Sequence, residues 1–524
     1  MPQETELKLS LLPDDRRRLL AHPLLRTPSP ERLHLRNTYF DTPALALMTQ
    51  RIAVRERRIG HQTLLTVKTA GRSVGGLSER GEWEGPTPPG AFNFAALVDD
   101  TALADTLGAL VWQLVPVFHT DFLRRRWVIH HAGASIELAL DEGTVSTEAD
   151  APQGHQQQAL LELELELLSG PVQALFDLAH TLALGPAGEA SSGLWLYPST
   201  RSKAERGFDL FLGRQPGAAR AESLRLAPDA SPVQAFVAAA FNSLDQFQVN
   251  LSLWLMADDV ALKAPFDTTA GQSLASDPEY VHQARVALRR LRTTLRMFAP
   301  FLPPRFARHW SARWKATATL LGAPRNWDVF ATTGLARLLG EALAQPQWQP
   351  LQAWVNEQRQ AAHHAARAAL QRPEHALDLL AFTHALMVLS TQRAKRHTPK
   401  LDRWAHKALR QQHTRLMRQT RATLREGPEG RHALRLRVKR LRYALDALGS
   451  LLPTDALARN SASLTRAQTA LGDLNDLSTA QTLLADCPLP ERAAVMASID
   501  TELARRLRRL PRLERALLRS SPPG

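Results

Sequence analysis

The chain has 524 residues and a net charge of +14, with 44% hydrophobic and 22% charged residues, a globular composition long enough for two or more cores. Its one cysteine, Cys487, excludes an intramolecular disulfide and fits a reducing compartment. No secretory signal is visible, and the most apolar stretch, Val233 to Leu262, is interrupted by Asn242, Asp245, Gln246 and Asn250, so a cytoplasmic protein without a membrane partner is expected.

Charge is unevenly spread. Residues 1–212 hold 20 Lys+Arg against 26 Asp+Glu, a net of −6, which leaves +20 on residues 213–524. Two domains with different tasks are expected, the second attracting polyanions.

Residues 1–212 read as short alternating segments punctuated by Gly and Pro, the pattern of an antiparallel sheet or barrel, with Pro171 to Leu184 as the clearest helix. The opening MPQETELKLS puts Glu4, Glu6 and Lys8 on one face of a strand. Later segments keep the habit. RIAVRER groups Arg51, Arg55 and Arg57; LLTVKT groups Thr66 and Lys68; RGEWEG groups Arg80, Glu82 and Glu84. FLRRRWVI groups Arg124 and Arg126, IELALDEG groups Glu137 and Asp141, and LLELELELL groups Glu162, Glu164 and Glu166.

An open sheet would leave such faces in water. Charges of both signs on one face of so many strands fit a closed barrel better, with charges inside and apolar residues outward beneath helices. That interior calls for a charged ligand. Carboxylates offer hard oxygens to Mg²⁺ or Mn²⁺, and Arg and Lys grip phosphate oxygens. A metal-bound triphosphate satisfies both.

The ordered set E-x-E-x-K (Glu4, Glu6, Lys8), R-x-R (Arg55, Arg57), Lys68, R-x-E-x-E (Arg80, Glu82, Glu84), Arg124/Arg126, D-x-G (Asp141, Gly143), E-L-E-L-E and S-K (Ser202, Lys203) resembles the CYTH family, the triphosphate tunnel metalloenzymes, over about residues 1–208. The resemblance implies an eight-stranded antiparallel tunnel with flanking helices that cleaves triphosphates with a divalent metal. Carried onto this chain, Glu4, Glu6, Glu162, Glu164 and Glu166 would hold one or two metals. Lys8, Arg55, Arg57, Lys68, Arg80, Arg124, Arg126 and Lys203 would bind the triphosphate, with Glu4, Glu6, Lys8 and Lys68 as the catalytic set. Glu82 and Glu84 would serve as ligands or orient basic neighbours.

GRQPGAARAES (213–223) reads as a linker, and helix-start chemistry follows at Asp229 to Pro232. From about 224 to 520 the pattern is all-α and duplicated, with repeats of about 224–373 and 374–520. HQARVALRRLRTTLRMF from His282 recurs 150 residues later as HALRLRVKRLRYALDAL from His432, and LGAPRNWD from Leu321 recurs as LGDLNDLS from Leu471. In the first copy His282, Arg285, Arg289, Arg292 and Arg296 form one helix stripe; Ala284, Leu288, Leu291, Leu295 and Phe298 form the apolar one. In the second copy His432, Arg435, Lys439 and Arg442 are basic, while Leu434, Val438, Leu441, Leu445 and Leu448 are apolar.

These paired motifs resemble the CHAD family, a duplicated helical bundle with a basic surface. That resemblance implies inorganic polyphosphate as partner, held by His282, Arg285, Arg289, Arg290, Arg292, His432, Arg435, Lys439, Arg440 and Arg442, and association with polyphosphate granules. Nucleic acid is the less favoured polyanion, because aromatic content is 6% and no base-reading signature is present. The leading expectation is a metal-dependent inorganic triphosphatase with a polyphosphate-binding domain. The alternatives are an organic triphosphatase (thiamine or nucleoside), an adenylate cyclase on the same fold, and a non-catalytic polyphosphate binder.

Overall fold

The computed structural model describes residues 3–27, 29–185, 193–256, 278–391 and 399–522. Its contacts divide the chain into two compact units: residues 1–217 with 371–384, and residues 218–370 with 385–524. No helix among the described residues is long and apolar enough to cross a membrane.

The first unit is a barrel. Its strands are β1 (Gln3–Ser10), β2 (Glu31–Asp41), β3 (Ala53–Ile59), β4 (Gln62–Lys68), β5 (Arg72–Val74), β6 (Leu77–Pro86), β7 (Val115–His131), β8 (Ala134–Ser146), β9 (Gln157–Ser169) and β10 (Tyr197–Pro198). The neighbour order is β10-β1-β9-β8-β7-β2-β3-β4-β6-β5, and an additional β1–β6 pairing closes eight of them into an antiparallel ring. Closure turns the period-2 alternation into an inside and an outside. Outward Val54, Val67 and Trp83 are buried beneath Phe94, Val98 and Leu107. Inward residues are charged along most of the bore and turn apolar at Leu35, Phe122 and Leu160.

One expected strand face is shorter than its alternation suggested. Arg51 precedes β3 in a left-handed turn (φ 56°) and is exposed, so it does not share the inner face of Arg55 and Arg57.

The helix Lys203–Phe211 starts at a capping box in which Ser202 accepts from the Glu205 amide and the Glu205 carboxylate accepts from the Ser202 amide. Gly207 lets this helix touch the barrel, since a Cβ there would lie 2.0 Å from the Phe118 ring. That close approach lets the helix pack directly on the β7 residue Phe118.

The second unit is helical. Pro232–Met256, Pro278–Phe298, Pro304–Leu320, Gly322–Val329 and Gln349–Leu370 make up its first part. Leu401–Leu448, which breaks at Gly427 (φ 60°), Thr454–Leu483, Glu491–Leu507 and Leu510–Leu518 make up its second. Both apolar stripes read from the sequence are buried, from Ala284 to Phe298 and from Leu434 to Leu448. The duplicated helices therefore present the same seam to the core.

Candidate active site

Strand register assembles the inner wall. Between β1 and β9, Glu6 faces Glu166, Lys8 faces Glu164 and Ser10 faces Glu162. Between β8 and β9, Glu137 faces Glu166 and Asp141 faces Glu162. On the other flank Glu4 faces Arg80, Lys68 faces Glu82, and Thr66 faces Glu84.

Two groups of side chains result. In the first, Lys203 lies 2.7 Å from Asp141 and 2.9 Å from Glu164, and also donates to Glu162. Arg124 contacts Asp141 at 2.7 Å and Glu164 at 2.6 Å, while Arg206 reaches Glu162 at 3.2 Å. Asp141, Glu162 and Glu164 are buried and can bring one oxygen each to within 4.8 Å of one another. Gly143 lets β7 and β8 approach beside them, because a Cβ there would sit 2.1 Å from the Asp121 carbonyl oxygen.

In the second group, Lys68 lies 3.0 Å from Glu4 and 2.8 Å from Glu82. Arg80 holds Glu4 at 2.8 Å and Glu6 at 2.5 Å, and Lys8 holds Glu6 at 2.9 Å. Arg55 and Arg57 approach Glu84 at 3.5 and 3.4 Å. Arg126 sits at the rim between Glu137 (2.7 Å) and Glu31 (2.9 Å), more exposed than the other tunnel cations.

Burial alone would neutralise Asp141, Glu164, Glu82 and Glu84, but their partners outweigh it. Burial opposes the charge of Asp141 and Glu164, yet Arg124 and Lys203 hold both carboxyls below their usual range. The same balance, through Lys68 and Arg55 for Glu82 and through Arg57 and Arg55 for Glu84, holds those two down. Lys203 is buried too, and its three carboxylates raise its pKa. Glu166 departs from these four carboxyls. No cation pairs with it among the described residues, and burial, followed by Glu4, Glu137 and Glu82, pushes its carboxyl up to about 7.

The structure thus gathers the expected tunnel residues on one enclosed wall but separates the expected metal ligands. Glu162 and Glu164 share a cluster with Asp141, whereas Glu4 and Glu6 are held by Lys8, Lys68 and Arg80. Glu166 lies between Glu6 and Glu137. Sequence reasoning did not give Asp141 a ligand role, nor did it foresee Arg206, or Asn37, which accepts from Arg57 at 3.0 Å and donates to Thr120 at 2.7 Å. Only the Asp141–Glu162 register reveals the first.

In the helical unit the ten expected phosphate-binding residues fall into separate neighbourhoods. His282, Arg285 and Arg289 converge with Arg325, Arg435 and Lys439. Arg292 and Arg440 belong with Arg296, Arg437 and Arg415. Arg290 lies with Arg442 and Asp446 and donates to Asn242 at 3.3 Å. His432 is exposed, unlike its counterpart His282.

Comparison with known proteins finds two families along the chain. The CYTH domain model matches residues 2–189 and the CHAD domain model matches residues 261–485. An inorganic triphosphatase of Haemophilus influenzae is 33% identical over 219 residues, 40% of this chain and 55% of that protein. The chain thus spans about half the length of this curated relative. The crystal structure of a CHAD domain from Ricinus communis is 26% identical with a TM-score of 0.47, covering 59% of this chain and 99% of that one. A Hippeastrum protein, described as a candidate adenylyl cyclase with a dominant triphosphatase activity, is 22% identical with a TM-score of 0.29, covering 41% and 97%.

Proposed function

We propose, for a chain that carries a CYTH domain followed by a CHAD domain, that the tunnel hydrolyses inorganic triphosphate to diphosphate and phosphate. The basic cleft of the helical unit, in this reading, binds a phosphate polyanion, inorganic polyphosphate before nucleic acid. The observation that carries the proposal is an enclosed wall on which Lys and Arg side chains alternate with carboxylates, including the buried Asp141, Glu162 and Glu164 cluster.

The donor set fits a divalent cation. Three buried carboxylates within 4.8 Å are hard oxygen ligands of the kind Mg²⁺ and Mn²⁺ take. When bound, such an ion supplies charge neutralisation on phosphate oxygens and acidifies a coordinated water. Asp141, Glu162 and Glu164 would hold it. Glu4, Glu6 and Glu166 are the remaining ligand set; Glu4 and Glu6 would be released when the substrate takes over Lys8, Lys68 and Arg80, while Glu166 is already unpaired among the described residues.

The protein's own cations do the positioning. Lys8, Arg55, Arg57, Lys68, Arg80, Arg124 and Arg126 line the bore, and each exchanges a carboxylate partner for a phosphate oxygen as triphosphate enters. Arg55 already has a buried Nε without a hydrogen-bond partner, a donor left unused in the protein alone. Lys203 steadies the acidic cluster in the absence of ligand and meets the leaving phosphates in its presence. Fixed donors in a water-poor bore cost little reorganisation as charge develops.

The test is a phosphate-release panel with and without Mg²⁺ or Mn²⁺ on triphosphate, ATP, thiamine triphosphate and long-chain polyphosphate. Divalent-dependent release from triphosphate, faster than from the other three, is expected. Preference for ATP or thiamine triphosphate would replace the substrate class, and no release from any would make the tunnel an anion receptor.

A further inference from the structure

Lys439 occupies in the second repeat the place that Arg289 occupies in the first, 150 residues earlier. It is lodged in a crowd of like charge. Arg285 and Arg289 face it from the Pro278–Phe298 helix, Arg435 from one turn back on its own helix, and Asp476 from the Thr454–Leu483 helix. Arg325 presses on the same arginines, His282 lies beside them, and Tyr443 lies near Arg285 and Arg435.

This crowd is poorly neutralised. Among the described residues, none of Arg285, Arg289, Arg435 and Lys439 makes an ion pair, and the Nε atoms of Arg289 and Arg435 are buried without a hydrogen-bond partner. Arg285 finds only the Ala318 carbonyl, at 3.0 Å. The carboxylate facing Lys439, Asp476, is shared with Arg325 and Arg435. Guanidinium groups keep their protons under all ordinary conditions. The member of the cluster able to relieve the repulsion by losing a proton is therefore the lysine.

We propose that Lys439 is carried uncharged in the unliganded cleft and takes up a proton when a phosphate polyanion enters, so that binding there is proton-coupled. The proposal rests on the polyanion reading of the cleft given above and adds its regulation by pH. Burial first, then Arg289 and Arg435, push the Lys439 amine down to about 6, whereas Arg285 in the same crowd falls only to about 10 and stays charged. His282, pushed down to about 4 by burial and by Arg325, is neutral in the unliganded cleft as well.

The sign follows from linkage. Above about pH 6 the free cleft has one charge fewer than its bound form, so binding draws in a proton and weakens as pH rises. One proton corresponds to roughly a tenfold loss of affinity per pH unit. Below about pH 6 the dependence flattens, because the lysine is already charged. An arginine at 439, as at 289, would remove the coupling and leave the charge.

Two measurements on the full chain test this. Competitive labelling of amines, read by mass spectrometry across pH, should give Lys439 a midpoint several units below the ordinary lysine value of about 10.4. Calorimetric titration with long-chain polyphosphate at pH 7.5, in buffers of different ionisation enthalpy, should show uptake of about one proton. Lys439→Arg should lose most of that uptake while binding at least as tightly, and His282→Gln isolates the histidine contribution. An ordinary labelling midpoint, or uptake unchanged in Lys439→Arg, overturns the proposal. A low midpoint with no polyphosphate binding in either protein removes the polyanion reading itself, and the coupling with it.

Discussion

Lys203 lies 2.7 Å from Asp141, although 62 residues separate them and neither is on a strand adjacent to the other's element in sequence. The amine comes from a helix that follows the barrel, and the acid from the middle of β8. Glu162 and Glu164 complete the contact, so one lysine touches all three buried carboxylates, with Arg124 and Arg206 beside it.

Lys203→Gln removes that counter-ion without removing bulk. Breaking a buried ion network in this way costs about 3–5 kcal/mol, and the melting temperature should fall by several degrees. Added Mg²⁺ or Mn²⁺ should restore more of it in the variant than in the parent, because the cluster then has room for the ion. Equal stabilisation of both proteins, read by thermal denaturation, would disconnect the cluster from cation binding.

Glu6→Ala frees both Arg80 and Lys8 from their shared carboxylate. Divalent-dependent phosphate release from triphosphate should fall by at least about a hundredfold while circular dichroism is unchanged. Unaltered turnover would take Glu6 out of the machinery.

Acidic residues of the tunnel should divide the pH–stability curve of the metal-free protein. Asp141, Glu164, Glu82 and Glu84 are held below their usual range. The stability they contribute is fully present above the unfolded value near 4 and is lost as pH falls through their folded values. Glu166 behaves oppositely, since its carboxyl is pushed up to about 7. Its ionisation costs stability as pH rises from about 4.5 through 7. Glu166→Gln should therefore stabilise the protein at pH 8, by up to about 3 kcal/mol, and leave it unchanged at pH 4. Denaturant melts at the two pH values decide the matter.

Gly207→Ala places a methyl 2.0 Å from Phe118. Overpacking of this kind costs about 1–3 kcal/mol, and the helix must shift outward, carrying Lys203 from its acids. Activity should fall more than stability does. A variant with parental kcat would show that the helix start need not be held so closely.

Charge removal in the helical cleft should act through the phosphate chain. Replacing Arg285, Arg289, Arg435 and Lys439 together by Gln should weaken binding to long-chain polyphosphate and flatten its salt dependence, as fewer counterions are released. Retention on immobilised polyphosphate across a salt gradient measures both.

Much of the tunnel was legible in the sequence because period 2 is unambiguous once a strand carries several charges. Glu4, Glu6 and Lys8, or Glu162, Glu164 and Glu166, can share a face in only one way. What alternation does not fix is which residue of one strand meets which of the next. Asp141 joined Glu162 through a register set by the turn between β8 and β9, and spacing carries no trace of that. The helical half shows the same limit. A 3-4 spacing locates Arg289 and Arg292 on one stripe, yet the packing of neighbouring helices sends Arg292 toward Arg296 and Arg440 instead.

The ring closure described above also sets an order of events. β1 must pair with both β6 and β9, so Lys8 waits for Glu164, more than 150 residues along the chain, before its strand has two neighbours. Pairings this distant are slow to find. A strand that waits with one open edge invites pairing with other chains. The acids and amines of β1 discourage such encounters, so the side chains assigned to phosphate chemistry also protect the barrel while it is still incomplete.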